Sequence, residues 1–112
     1  MLIKELTESQ TQRMLERRKQ LVAAKTALYA GDLDTTLTIM SRLSSMGFPQ
    51  QGVTAFFDRH EKKVKPLVLS MAKHNNDLVT VYNITSDLTQ AMRVDWSWLY
   101  VLRLELKKKL NL

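Results

Sequence analysis

The chain carries two histidines, His60 and His74, the side chains best suited to move protons near neutral pH. A nucleophilic enzyme would need Ser, Cys or Thr beside such a base. Neither histidine is accompanied by an oxyanion motif or a Gly-rich loop, and both stand in polar surroundings that ordinary surface residues would share. Asp58, His60, Glu61 and His74 could in principle ligate a metal. The histidines, however, flank Pro66, and no HExxH-type helical pair exists. Neither GxxxxGK nor GxGxxG occurs, so no phosphate cradle is written into the chain. The expectation is a non-enzymatic protein with no catalytic residues, no cofactor and no metal.

Chemistry of recognition is better represented. Arg59, Lys62, Lys63 and Lys65 crowd the approach to Pro66, and Arg17-Arg18-Lys19 forms a second basic run. Each could be a plain solvated helix face, as most charge runs are. Yet the formal net charge is +6 with a pI near 9.8. That excess favours a polyanion as partner: nucleic acid, acidic lipid or an acidic protein surface such as a microtubule. The first cluster is therefore the expected polyanion-binding or microtubule-binding patch. Trp96, Trp98 and Tyr100 form the aromatic candidate. On one helix a two-residue offset is a 200° turn, so the two indoles are expected to point apart. One would then be core and the other an anchor for a protein partner.

Elements must hold these groups in place, and the composition points to helices. In 112 residues there are only three glycines and two prolines, with 45% hydrophobic and 25% charged residues. Those proportions describe an ordinary globular chain, expected to form a single helical interaction domain over 1–112. The absence of cysteine removes disulfides and thiolate zinc sites and fits an intracellular protein. No signal peptide is expected after Met1-Leu2-Ile3-Lys4, and no apolar run approaches the roughly 18 residues of a membrane span, so no membrane partner is expected.

The pattern predicts an all-α fold, a five- to six-helix bundle or short helical stack. A first helix should start near Thr7 or Ser9, where two capping boxes overlap. Its apolar pairs Met14/Leu15, Leu21/Val22 and Leu28/Tyr29 repeat every seven residues as one narrow stripe. Gly31 should stop it and Asp32 should cap a second helix, Leu33 to about Met46. Gly47 and Pro49 separate that helix from a third bearing Val53, Phe56 and Phe57, which Pro66 should break or kink. Leu67 to His74-Asn75-Asn76 forms a fourth segment. Asp77 should cap a fifth helix, read as helix despite β-branched Val79, Thr80 and Val81, because the apolar spacing runs on to Met92. The last helix should start at Asp95 and end in Lys107-Lys108-Lys109, matching the dipole. Leu2, Ile3, Leu6, Trp96, Trp98, Tyr100 and Leu110 exceed what a short bundle readily buries, so an exposed apolar face is expected.

The stretch from Arg17-Arg18-Lys19-Gln20-Leu21 through Lys25 to Gly31-Asp32-Leu33-Asp34-Thr35 resembles the start of the conserved C-terminal helical domain of the WD-repeat regulatory subunit of katanin. The matching positions are Arg17, Lys19, Leu21, Gly31, Asp32 and Thr35. The resemblance implies a non-catalytic regulatory domain that heterodimerises with the N-terminal helical domain of a catalytic AAA ATPase subunit. It further implies microtubule binding, promotion of severing, and a cytoplasmic, cytoskeletal location at spindle poles or centrosome. From composition alone, the competing expectation is a small basic helical nucleic-acid-associated protein of phage or bacterial origin.

Overall fold

The computed structural model describes the backbone of residues 2–74 and 77–112 and the side chains of residues 9–74 and 77–112. Leu2, Ile3 and Leu6, the Thr7-Glu8 part of the first capping box, and Asn75-Asn76 lie outside the described side chains. The fold is all-α, as expected. Its six helices are α1 (Leu2–Tyr29), α2 (Leu33–Ser45), α3 (Gln50–Arg59), α4 (Glu61–His74), α5 (Leu78–Ser86) and α6 (Ser97–Lys109). They group into two units, Met1–Phe48 and Pro49–Leu112.

In the first unit α1 and α2 pack as a hairpin. Gly31 sits at φ 85°, and the amides of Asp32 and Gly31 donate to the carbonyls of Ala27 and Leu28 at 2.9 and 3.0 Å. This is a Schellman stop, and it requires the positive φ that glycine adopts without a Cβ penalty. Asp32 then caps α2: Oδ1 accepts from the Thr35 amide at 3.1 Å and Oδ2 from the Thr35 hydroxyl at 2.6 Å. Those bonds hold the Asp32 carboxyl below its ordinary range, the Thr35 side chain first and its backbone second. Gly47, at φ 92°, ends α2 by the same device. Ala24, Leu28, Leu33, Leu37, Met40 and Leu43 are buried, and buried Thr36 donates its hydroxyl to the carbonyls of Asp32 and Ala24.

Two expectations for α1 are corrected. It begins at Leu2 rather than Thr7 or Ser9, because nothing in Leu2-Ile3-Lys4-Glu5-Leu6 breaks a helix. The apolar pairs are also not one stripe: Leu28 is buried and Leu21 half-buried, whereas Leu15, Val22 and Tyr29 are exposed. Adjacent residues stand 100° apart on a helix, so Leu21/Val22 and Leu28/Tyr29 straddle the edge of the packed face, while Met14 and Leu15 are both exposed.

In the second unit the break falls at His60, between α3 and α4, and Pro66 does not break α4, which continues through it. The missing N–H leaves the Lys62 carbonyl without its helical donor. Lys62 and Pro66 are both exposed, so water can serve that carbonyl. His60 is not the surface residue expected. It is buried, with its ring centroid 5.0 Å from that of Phe56, and Phe56 meets Phe57 edge-on at 5.2 Å.

Asp77 caps α5 through Thr80 with the same distances as the Asp32 cap, 3.1 and 2.6 Å, and its carboxyl is likewise held low. Leu78-Val79-Thr80-Val81-Tyr82 is helical, as its apolar spacing predicts. After Ser86 the helix widens into a π-helical turn, Asp87–Ala91, in which the Met92 amide reaches back to the Asp87 carbonyl at 2.9 Å. Gln50 and Thr54 of α3 donate to the freed Met92 carbonyl at 3.3 and 2.7 Å, closing this end. Buried Val53, Phe57, Val64, Val68, Val81, Leu88, Met92, Leu99 and Leu106 form the unit's core.

Candidate interaction surfaces

Trp96 precedes α6 in extended conformation, at φ −105° and ψ 119°, because the helix starts at Ser97 rather than Asp95. The 200° helical offset therefore does not apply. Instead of pointing apart, the two indoles stack with centroids 5.6 Å apart and planes at 17°. Trp96 is only 6% exposed and donates Nε1–H to Asp58 Oδ1 at 2.9 Å. Half-buried Trp98 donates to Glu61 Oε2 at 2.8 Å, and Lys65 Nζ lies over its ring at 5.7 Å. The cluster staples the start of α6 to the junction of α3 and α4. Both indole donors are satisfied within the fold.

The expected basic cluster is divided. Arg59, Lys62 and Lys65 are exposed and Lys63 is half-buried. On α4, Lys63 stands about 160° around the axis from Lys65, whereas Lys62, Lys65 and Lys73 fall within an arc of about 80°. Leu69, partly exposed, lies in the same arc. A break at Pro66 would separate Lys73 from this cluster; because the helix continues, its spacing of eleven from Lys62 places it on the same face.

Tyr100 is 43% exposed, Leu110 half-buried. Tyr100 lines a 240 Å³ cleft with Tyr82, Arg103, Leu104 and Lys107. Arg103 is clamped there. Its Nη1 donates to Thr89 Oγ1 at 2.6 Å, its Nη2 to the Tyr82 hydroxyl at 3.1 Å, and its guanidinium lies 5.1 Å from the Tyr82 ring centroid. The hydrogen bond from Arg103 is the main reason the Tyr82 phenol is held below its ordinary range; the charges of Arg103 and Lys107 add to it. Thr89 belongs to the π-helical turn, which no sequence period announces. A larger concavity, 860 Å³, is bordered among the described residues by α1, from Ser9 to Lys19.

Among the described residues no group of three or more His, Cys, Asp or Glu side chains is placed to hold a metal ion. No described helix is long and apolar enough to cross a membrane. Compared with protein families, characterised proteins and solved structures, the chain finds no match in any of the three.

Proposed function

We propose that this chain is a non-catalytic regulatory subunit that binds acidic macromolecular surfaces, with α4 presenting the basic face. The observation that carries the reading is the alignment of Lys62, Lys65 and Lys73 on one exposed face around Leu69. Glu61, the carboxylate nearest that face on α4, is engaged by the Trp98 indole. A row of cations without interleaved acids favours a polyanion over a self-neutralised helix.

The finer form of the proposal takes its identity from the katanin resemblance: a partner of a catalytic AAA ATPase subunit that acts on microtubules. Its support is limited to the α1–α2 hairpin. Gly31, Asp32 and Thr35 are the residues that any hairpin with this stop and cap would favour, so the distinguishing weight rests on Arg17, Lys19 and Leu21.

The test compares microtubule co-sedimentation with DNA and RNA mobility shifts, each titrated with salt. Reversal of Lys62, Lys65 and Lys73 to Glu should abolish binding to the true target without unfolding the chain. If that target is DNA, the slope of log K against log salt should fall by about 3. Microtubule binding favours the katanin-like form; nucleic-acid binding favours the basic nucleic-acid-associated form. Unchanged binding by the triple variant removes α4 from the interface.

A further inference from the structure

We infer that the outer face of α1 is a docking stripe for an acidic amphipathic helix of a partner protein. Leu15, Val22 and Tyr29 are 59%, 60% and 52% exposed and recur at strict seven-residue intervals. Met14, 69% exposed, flanks the first of them. The stripe lies about 140° around the axis from the buried face that carries Ala24 and Leu28. One helix thus has two apolar faces. The inner one is occupied within the fold, and the outer one has the spacing by which helices pair along a seam.

Charge selects the occupant. Between the apolar positions, on the same arc, stand exposed Arg18 and Lys25, and Lys25 Nζ lies 5.8 Å from the Tyr29 ring centroid. Glu16, the acidic residue among the described positions of α1, faces about 100° away from Leu15 and its Oε1 accepts from Gln20 Nε2 at 3.1 Å. A second copy of this chain is a poor fit. Parallel pairing would set Arg18 and Lys25 against themselves, and antiparallel pairing would set them against each other. An apolar seam interrupted by cations fits a helix carrying apolar residues every seven positions and Glu or Asp between them. From Leu15 to Tyr29 the contact runs about 21 Å along the axis.

This inference rests on α1 alone and stands or falls apart from the role given to α4. The test uses the full chain and two synthetic helical peptides, identical in their leucine seam, one with Glu and one with Lys at the intervening positions. Binding is read by fluorescence anisotropy and by helix induction in the peptide. The Glu peptide should bind about tenfold or more tightly than the Lys peptide. Val22→Glu, at an exposed site, should weaken Glu-peptide binding by a similar factor while leaving the melting curve unchanged. The paired reversal Arg18→Glu and Lys25→Glu should transfer preference to the Lys peptide. Equal affinity for both peptides, no binding of either, or a self-associated chain that Val22→Glu renders monomeric would each overturn the proposal. Loss of polyanion binding by the α4 variant with peptide binding kept would show the two surfaces to be separate.

Discussion

If the paired indoles are a staple, their loss should register as instability before it registers in any binding assay. Trp96 is almost wholly buried, so Trp96→Ala should cost about 3–5 kcal/mol, the range for truncating a buried large aromatic. Trp98 is half-buried, and Trp98→Ala should cost less, about 1–2 kcal/mol, through the lost stack and the contact with Lys65. The hydrogen bond from Trp98 to Glu61 can be isolated by a double-mutant cycle with Trp98→Phe and Glu61→Ala, since Phe keeps a ring to stack. A bond to a carboxylate is worth about 1.5–3 kcal/mol when desolvated; partial solvent access here should bring the coupling to about 1 kcal/mol. Urea unfolding followed by circular dichroism gives each free energy. Additivity of Trp98→Phe and Glu61→Ala within about 0.3 kcal/mol would mean that the bond contributes nothing. A Trp98→Ala variant with an unchanged midpoint and impaired partner binding would return that indole to the role of a surface anchor.

Gly31→Val should lower stability by about 1–2 kcal/mol, because a β-branched residue at φ 85° is strained; an unchanged melting temperature would contradict the Schellman stop. The Asp32 and Asp77 carboxyls both titrate below their unfolded value. Their caps therefore stabilise the fold above the unfolded pKa and lose that effect as pH falls through the lower folded values. Asp32→Asn with Asp77→Asn should flatten the acid limb of the melting-temperature profile, and a limb of unchanged steepness would assign it to other groups. Arg103→Met should raise the Tyr82 pKa toward that of a free phenol, as read by ultraviolet titration against Tyr82→Phe; no movement would show that the Arg103 bond does not form in solution.

What was legible in the sequence was what local chemistry decides. Gly31-Asp32, Gly47-Phe48-Pro49 and Asp77 mark helix ends because a positive φ and a carboxylate beside free amides are local requirements. Leu78–Ser86 is helical despite its β-branched start because its apolar spacing outweighs the local propensity. Features decided by packing and by the exact position of a helix end were not legible. His60 looks polar among Asp58, Arg59 and Glu61, yet it is buried against Phe56 on the preceding turn. Pro66 looked like a break because the rule considers only the proline. The helix instead ends six residues earlier, at His60, and with Lys62 and Pro66 both exposed water can serve the carbonyl that Pro66 leaves without a donor. The stacking of Trp96 on Trp98 turned on a two-residue shift in where α6 begins, within the ordinary uncertainty of a helix start.

The two apolar columns of α1 have a functional consequence. Pairs such as Leu21/Val22 and Leu28/Tyr29 repeat every seven residues whether a helix buries one column or two, so their period cannot say how many faces are occupied. The length of the neighbour bears on it. α1 has 28 residues, about 42 Å, whereas α2 has 13, about 20 Å. A single shorter helix can cover one column of the C-terminal half, and residues 9–16 are exposed throughout. Val22 and Tyr29 do lie within the stretch that α2 could reach, yet they remain exposed because they face away from the buried column. Their exposure therefore follows from direction, whereas that of Leu15 follows from both direction and reach. A helix that needed only to pack on α2 could carry polar residues at positions 15 and 22, which the hairpin leaves exposed. At Leu15 and Val22 the apolar character, in register with exposed Arg18 and Lys25, is what a second helix seated on the outer face would require.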